Sequence, residues 1–164
     1  MLACKTPKSL SKGDVFFSFE GISFDDGSSS VEAHEWHVRS IQNRSTYRSR
    51  CGTKLSSTTR NALMVSLVSK KNRVTWVRGA WAKYIPNEYK LMFEVADRLP
   101  EGIYTTQLQA IKFAVKQWEA DISWYENEMP TIKAKREIAK YEDDLACLRK
   151  ELQLLKSRLK KLSK

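Results

Sequence analysis

Basic residues crowd into one segment of this 164-residue chain that contains no acidic residue. Between Glu35 and Glu88, 52 residues pass without an Asp or Glu, where average composition would place about six. The net charge of this acid-free window, residues 36–87, is +11, which exceeds the +10 of the whole chain. Cations are rarely buried, so any compact fold presents a strongly positive surface. The eleven cations are Arg39, Arg44, Arg48, Arg50, Lys54, Arg60, Lys70, Lys71, Arg73, Arg78 and Lys83.

The chemistry that suits this window is the binding of nucleic acid, either DNA or RNA. Contacts of Lys and Arg with phosphates release condensed counterions and supply most sequence-independent affinity. Arg outnumbers Lys by seven to four, which favours bidentate contacts with phosphate or guanine. Aromatic residues that can stack on unpaired bases lie among the cations: Trp36, Tyr47, Trp76, Trp81 and Tyr84. The predicted nucleic-acid-binding residues are Arg39, Arg44, Tyr47, Arg48, Arg50, Lys70, Lys71, Arg73, Arg78 and Lys83.

The same charge admits two other interpretations. A positive face can dock an acidic protein surface, or it can serve only to keep the chain in solution. Trp36, Trp76 and Trp81 are also strong candidates for the core, because tryptophan is highly buried on average. Tyr47 lies in a stretch without apolar periodicity, so we expect it to be exposed.

The sequence offers no arrangement that favours catalysis. His34 and His37 are three residues apart, whereas a helical zinc motif needs four, and on a strand such positions face opposite sides. The six glycines form no phosphate-binding loop, and the three cysteines form no CxxC pair. We therefore predict no enzyme activity, no metal and no cofactor. The cysteine usage is typical of a reducing compartment, and no apolar run approaches the roughly 20 residues of a membrane span, so we expect a cytoplasmic protein.

Strand patterns precede helical patterns along the chain. Residues 14–84 read as strands and turns, which predicts a small antiparallel β domain, an SH3-like or OB-like curved sheet or barrel. Pro86–Ala96 is predicted as a short helix, because proline is tolerated in a first turn. The predicted strands are 15–19, 31–42, 62–69 and 73–82, with a loop at 25–30, a long loop at 43–60 and a hairpin turn at Lys70-Lys71-Asn72.

The C-terminal third predicts two long helices. Thr106 and Gln109 have the form of a capping box, and apolar residues from Leu108 to Met129 recur every three or four positions. Pro130 interrupts this stripe, and the second stripe resumes out of phase, which predicts either an antiparallel hairpin or a kink. The second stripe is a leucine-rich coiled-coil seam of heptad a and d positions: Ile138, Tyr141, Leu145, Leu148, Leu152, Leu155, Leu159 and Leu162.

The partner of this seam is open at the level of sequence. It can be the preceding helix, the same helix in a second copy, or a helix of another protein. The second helix is longer, so an internal hairpin would leave an overhang with Leu159 and Leu162 unburied. This length argument favours a homodimer or another oligomer.

These patterns together predict an α+β fold in three parts. Residues 1–13 form a flexible N-terminus, 14–104 a basic β domain with a short helix, and 105–164 a helical arm broken at Pro130. The predicted function is non-enzymatic nucleic-acid binding by the β domain, with oligomerisation through the coiled coil. The alternative is an adaptor or inhibitor that docks on a larger protein complex through the helical arm.

Overall fold

The computed structural model describes residues 10–50, 53–66, 85, 87–95 and 98–164, with the backbone alone described at 45–50, 53–57 and 88. Within these residues the fold is α+β, with a curved antiparallel sheet of four strands followed by two long helices. The strands are β1 (Val15–Ser23), β2 (Ser29–Arg50), β3 (Thr53–Ser66) and β4 (Lys90–Glu94). The helices are α1 (Gln107–Glu128) and α2 (Lys135–Leu162), and 3₁₀ turns cover Asn87–Tyr89 and Met129–Thr131.

The strands neighbour one another in chain order, β1-β2-β3-β4. The chain also divides into two compact units. The first unit contains the residues up to Phe17 together with His34–Thr105, and the second contains Ser18–Ala33 together with Thr106–Lys164.

The turn between β1 and β2 is built by a side chain and a glycine. The Asp26 carboxylate accepts a hydrogen bond from the Ser28 backbone N–H at 2.8 Å. Hydrogen bonds from Ser28 hold the pKa of Asp26 below its usual range. Gly27 has φ +76°, a conformation that is costly for residues with a Cβ. The strand predicted at 15–19 is confirmed as the start of β1, and the polar cluster after it is this turn.

The long loop predicted at 43–60 is wrong. β2 continues to Arg50, β3 begins at Thr53, and the two strands pair without interruption from Arg50↔Thr53 to Ile41↔Ala62. In this segment Ser, Thr and Arg occupy both odd and even positions, so the sequence lacks the alternation of apolar and polar residues by which strands are recognised. The backbone hydrogen bonds of an antiparallel pair do not require that alternation.

The short helix predicted at 86–96 is also wrong, apart from the single 3₁₀ turn at Asn87–Tyr89. The segment continues as β4, which pairs with β3 from Lys90↔Val65 to Glu94↔Asn61. Leu91, Phe93 and Val95 are partly buried against the core of the first unit. This spacing of two is the period of a strand, and it outweighs the helix-start signal of Pro86.

The core of the first unit lies on one face of the sheet. A large aromatic side chain from each of the first two strands is nearly inaccessible, Phe16 at 1 % and Trp36 at 8 % exposure. Each such side chain stabilises the fold by about 1.5–3 kcal/mol relative to an exposed position. Backbone hydrogen bonds in both directions also join Phe17 to Tyr104, at 2.8 and 2.9 Å. The buried cluster consists of Leu10, Phe16, Trp36, Val38, Ala62, Met64 and Ile103.

Helix α1 begins and ends where the sequence predicts. Thr106 is the N-cap, and its hydroxyl accepts a hydrogen bond from the Gln109 backbone N–H at 3.3 Å. The helix ends at Glu128, and Pro130 lies in the following 3₁₀ turn. Of the predicted stripe, Ile111, Val115 and Ile122 are buried, along with alanines at 110 and 114.

Helix α2 folds back on α1 as an antiparallel hairpin, one of the two arrangements that the phase shift at Pro130 predicts. Lys156 pairs with Glu119 at 2.7 Å, and Arg149 pairs with Glu126 at 2.8 Å, so residue numbers rise in α2 as they fall in α1. Twelve residues of α1 precede Glu119, whereas only six of α2 follow Lys156. The predicted overhang at the end of α2 is therefore wrong, because its extra residues lie at its start.

Three further predictions fall partly or wholly outside the described residues. They are the strand at 73–82, the hairpin turn at Lys70-Lys71-Asn72, and the last part of the strand at 62–69. The first part of that strand, Ala62–Ser66, belongs to β3.

Candidate nucleic-acid interface

Strands β2 and β3 continue as a two-stranded ribbon beyond the rest of the described sheet. We call residues 43–50 and 53–60 the ribbon. β4 pairs with β3 only at Asn61–Val65. On the β1 side, the Val38 N–H donates a hydrogen bond to the Asp14 carbonyl, and the Val38 carbonyl accepts one from the Gly13 N–H. The ribbon pairs from Asn43↔Arg60 to Arg50↔Thr53, which is about 25 Å at the usual rise of a strand.

The ribbon is rich in basic and hydroxyl side chains and has no acidic ones. Its sixteen residues include five cations, eight Ser or Thr residues and no acidic residue. Hydroxyls, guanidinium groups and ammonium groups are the donors that contact phosphate oxygens in protein–DNA complexes. At its described end, Asn43, Arg44, Thr58 and Arg60 are all exposed.

A β-bulge decides which residues share a face of the ribbon. The register between β2 and β3 shifts between Val38 and Ser40, so that Arg39 is the extra residue. Before the bulge, even positions such as Trp36 and Val38 are buried, whereas after it Ile41 packs against the core. Gln42 and Arg44, at even positions after the bulge, therefore lie on the outer face of the sheet.

The outer face forms a shallow depression where the ribbon meets β4. Its volume is ≈ 140 Å³. Gln42 and Asn61 are directly opposite each other, and the Asn61 amide N–H₂ donates to the Thr59 hydroxyl at 2.8 Å. Amide and guanidinium side chains line this surface beside one exposed thioether. The lining residues are Ser40, Gln42, Arg44, Asn61, Ala62, Leu63 and Met92.

Trp36 lies on the opposite face of the sheet, in the core. The sequence allows it to be either a stacking residue of the binding surface or a core residue, and the structure places it in the core. His34 stacks on Trp36 with ring centroids 5.3 Å apart and planes 15° apart. The His34 Nδ1 atom lies 3.0 Å from the Ser66 hydroxyl oxygen. Trp36 is thus unavailable as a stacking platform for a base.

The two histidines have separate neighbours. His37 Nε2 lies 2.7 Å from the Glu35 carboxylate, whereas His34 contacts Trp36 and Ser66. Among the residues that the structure describes, no three His, Cys, Asp or Glu side chains come together in a way that could hold a metal ion.

The structure brings together only part of the predicted binding set. Arg44 is exposed at the base of the ribbon, and Arg39 is half-buried at the bulge with contacts of its own. Tyr47, Arg48 and Arg50 lie in the ribbon, where the backbone alone is described. The other predicted residues lie outside the described part of the chain: Lys70, Lys71, Arg73, Arg78 and Lys83.

Sequence reasoning missed the uncharged residues of this surface. Gln42 and Asn61 face each other only because of the bulge, and no sequence signal places that bulge. The Ser and Thr content of the ribbon is visible in the sequence, but such residues also favour loops. The dense run of Ser and Thr between Arg44 and Arg60 is the signal that identifies the hydroxyl residues of this surface.

Part of the leucine seam of α2 is buried, and the rest is half-buried. Leu145 and Leu155 are buried at 5 % and 0 % exposure. The remaining seam residues are half-buried: Ile138, Tyr141, Leu148, Leu152, Leu159 and Leu162. Outside the seam, Leu154 and Trp124 are exposed at 39 % and 51 %. Packing on α1 therefore covers the seam incompletely.

Three aromatic side chains meet near the turn between the two helices. The rings of Tyr125 and Tyr141 are 5.1 Å apart, and that of Trp124 lies 6.2 Å from Tyr141. The Tyr125 hydroxyl lies 3.5 Å from an Asp144 carboxylate oxygen. Partial burial, and next the negative charge of Asp144, raise the pKa of Tyr125 above its ordinary value.

A buried carboxylate links three elements of the second unit by hydrogen bonds. Glu151 of α2 is only 6 % exposed, and it accepts hydrogen bonds from Trp118 Nε1 and from the Ser23 hydroxyl, both at 2.7 Å. Ser23 gives its one proton to Glu151, so the Ser29 hydroxyl, 2.9 Å away, donates to Ser23. Gly21 lies against the carboxylate. The arrangement pairs the buried charge with donors and joins the end of β1 to both helices.

Comparison with known proteins adds no further assignment. None of the helices in the described ranges is long and apolar enough to cross a membrane. No protein-family model matches this chain, and no curated protein or solved structure matches it.

Proposed function

We propose that this protein binds nucleic acid through the ribbon and that it has no catalytic role. One observation carries the proposal: the acid-free segment pairs as a two-stranded ribbon that extends past β4 and holds five cations in sixteen residues. A projecting ribbon can approach a polyanion closely, since no acidic side chain within it opposes the phosphates.

The residues proposed to carry the affinity are Arg44, Arg48 and Arg50, because they lie close together on one strand of the ribbon and Arg44 is exposed at its base. Each phosphate that is neutralised on a duplex contributes about 0.9 to the slope of log K against log salt concentration. Three such contacts therefore account for a slope of about 3. Asn43, Thr58 and Arg60 are exposed at the base of the ribbon and add donors there.

We further propose that the sheet belongs to the class of small curved β domains that present such faces. The consecutive order of the four strands in the described ranges suits an SH3-like arrangement better than an OB-like one, because an OB-fold is a Greek-key barrel.

The proposed role of the helices is to join copies of the protein as a coiled coil. The half-buried residues of the α2 seam leave apolar surface beside the contact with α1. Once one of two linked copies is bound, the second copy is held near the same nucleic acid. Its effective concentration there is high, so avidity rises without new contacts. A chain that is monomeric alone and associates only with a different protein would instead support the adaptor function.

The test is a titration of the protein into labelled single-stranded and duplex DNA and RNA, followed by fluorescence anisotropy at two salt concentrations. The variant R44A/R48A/R50A removes three charges from the ribbon. The control R136A/R158A/K160A removes three charges from exposed positions of α2.

We expect the ribbon variant to lower the salt slope by about 3 and the control to leave it nearly unchanged. Equal binding by the ribbon variant and the unmodified protein, or equal losses in both variants, would contradict the site. No binding to any nucleic acid at low salt would contradict the function.

A further inference from the structure

We infer that the helical hairpin, residues 106–164, packs antiparallel against that of a second copy, and that the basic end of each α2 binds the groove beside the turn of the other hairpin. This inference rests on the proposed joining of copies by the helices, and it adds the surface and the orientation. It follows from the groove, from the distribution of charge along the hairpin and from the contacts that α2 already makes within its own chain.

An apolar groove with charged edges lies between the two helices near their turn, and its volume is ≈ 340 Å³. Its lining includes the buried Leu145 and the half-buried Met129. At its edge Arg149 pairs with Glu126 at 2.8 Å, and Glu142 is exposed as a further carboxylate beyond this pair. An occupant with apolar side chains and positive charge therefore suits the groove.

Charge is unevenly distributed along the hairpin. Residues 118–148 form its turn end, with eight acidic residues, four basic residues and a net charge of −4. Residues 106–117 and 149–164 form its open end, with nine basic residues, one acidic residue and a net charge of +8. Parallel copies would bring like ends together, whereas antiparallel copies bring each acidic end to a basic end.

The ion pairs that would favour a parallel coil are used within one chain. A parallel coil along the predicted seam would pair Glu151 of one copy with Lys156 of the other. In the structure Lys156 pairs with Glu119 at 2.7 Å, and the buried Glu151 accepts a hydrogen bond from Trp118. Arg149, which such a coil would also use, belongs to the ion pair at the groove. A parallel arrangement would thus compete with contacts that stabilise the hairpin itself.

The end of α2 has the chemistry that suits the groove. Leu159 and Leu162 are half-buried, and Arg158, Lys160 and Lys164 around them are exposed. Each antiparallel copy offers one groove and one such end, so a single two-fold rotation forms both contacts and closes the assembly as a dimer. Two hairpins then form a four-helix arrangement in which each copy covers half-buried side chains of the other.

Charge reversal on the whole protein tests this orientation. The dissociation constant of the dimer is measured by sedimentation equilibrium at two salt concentrations, and circular dichroism checks the helical content of every variant. A further variant combines the changes at both ends. The variants reverse two exposed charges each: E128K/E142K at the turn end, K160E/K164E at the open end, and K12E/R98E in the first unit as the control.

We expect the unmodified protein to be a dimer whose affinity falls as salt rises. Each end variant should weaken the dimer at least about tenfold, which corresponds to 1.4 kcal/mol. The combined variant should restore the affinity, and the control should leave it unchanged. End variants with unchanged affinity, or a combined variant that binds no more tightly than they do, would overturn the orientation and leave the joining of copies standing.

Disulfide formation gives a readout that does not depend on charge. In a C4S/C51S/C147S background, E142C/K160C places two cysteines about 27 Å apart along one helix, too far to join within a chain. We expect a covalent dimer from this variant and none from E142C or K160C alone. Covalent dimers from the single-cysteine variants, or none from E142C/K160C, would overturn the inference. A protein that is monomeric at every concentration would overturn both this inference and the proposed role of the helices, whereas nucleic-acid binding by the ribbon is decided by its own salt slope.

Discussion

Replacement of Glu151 by alanine tests whether its buried carboxylate holds the second unit together. The change leaves the Trp118 indole N–H and the Ser23 hydroxyl without the acceptor that each contacts at 2.7 Å. A buried donor without an acceptor costs about 1–3 kcal/mol, so two would cost about 2–6 kcal/mol. Removal of a buried charge recovers part of this, because the folded protein no longer has to desolvate it. We therefore expect a loss of about 2–4 kcal/mol.

The assay is urea unfolding followed by far-UV circular dichroism, with thermal unfolding as a second measurement. For a chain of this length, 1 kcal/mol corresponds to a shift of about 2–4 °C in Tm, so Glu151→Ala lowers Tm by roughly 4–16 °C. Glu142→Ala, at an exposed position of the same helix, is the matched control and should stay within about 0.5 kcal/mol.

A double-mutant cycle separates the hydrogen bond from other effects of the substitution. Trp118→Phe keeps most of the aromatic surface and removes the N–H donor. The coupling between this change and Glu151→Ala should be at least about 0.5 kcal/mol, as for other residues in direct contact. Glu151→Ala with the stability of Glu142→Ala, or a cycle with no coupling, would refute the reasoning.

Three further predictions concern the same unit. In Gly21→Ala, the new Cβ would lie 2.8 Å from the Glu151 Oε2 atom, so we expect a loss of about 1–3 kcal/mol in urea unfolding. An undiminished stability would show that the carboxylate moves freely. Absorbance titration should place the pKa of Tyr125 above its ordinary value, and Asp144→Asn should lower it. Since the folded pKa is raised, this tyrosine's contribution to stability is complete below about pH 10 and is lost as pH rises through the folded pKa. An Asp144→Asn variant with an unchanged titration would contradict the assigned cause. Leu155→Ala should cost about 2–5 kcal/mol in urea unfolding, against less than about 1 kcal/mol for the exposed Leu154→Ala. Equal losses at both positions would contradict the packing of α2 on α1.

Sequence alone predicts the helices well because their signals are local. Thr106 caps α1 through a residue three positions away, and Pro130 ends the first helix wherever the rest of the chain lies. The spacing of apolar residues also sets the face of each helix. The sequence does not decide between a hairpin and a kink, since the choice depends on contacts such as that between Glu119 and Lys156, which are far apart in the chain.

The strands were harder to predict because their evidence is not local. Residues 43–60 contain few apolar side chains, and their strand structure comes from pairing that no single segment reveals. The sequence predicts a helix in place of β4, because Pro86 is a local signal whereas pairing with β3 is not. The basic character of the binding surface could be predicted from composition. The pairing of Gln42 with Asn61 could not, because it follows from register.

The bulge at Arg39 makes this protein sensitive to chain length in a way that substitutions would not reveal. If one residue were deleted between Val38 and Ile41, every later position of β2 would exchange sides. Arg44 would turn toward the side of the core, and Asn43 would move to the outer side. The deletion of a single codon would thus exchange the two faces of β2 in the ribbon with almost no change in composition. Many individual substitutions in the ribbon would, in contrast, be tolerated. We expect natural length variation to be confined to the turn between the strands, away from this position.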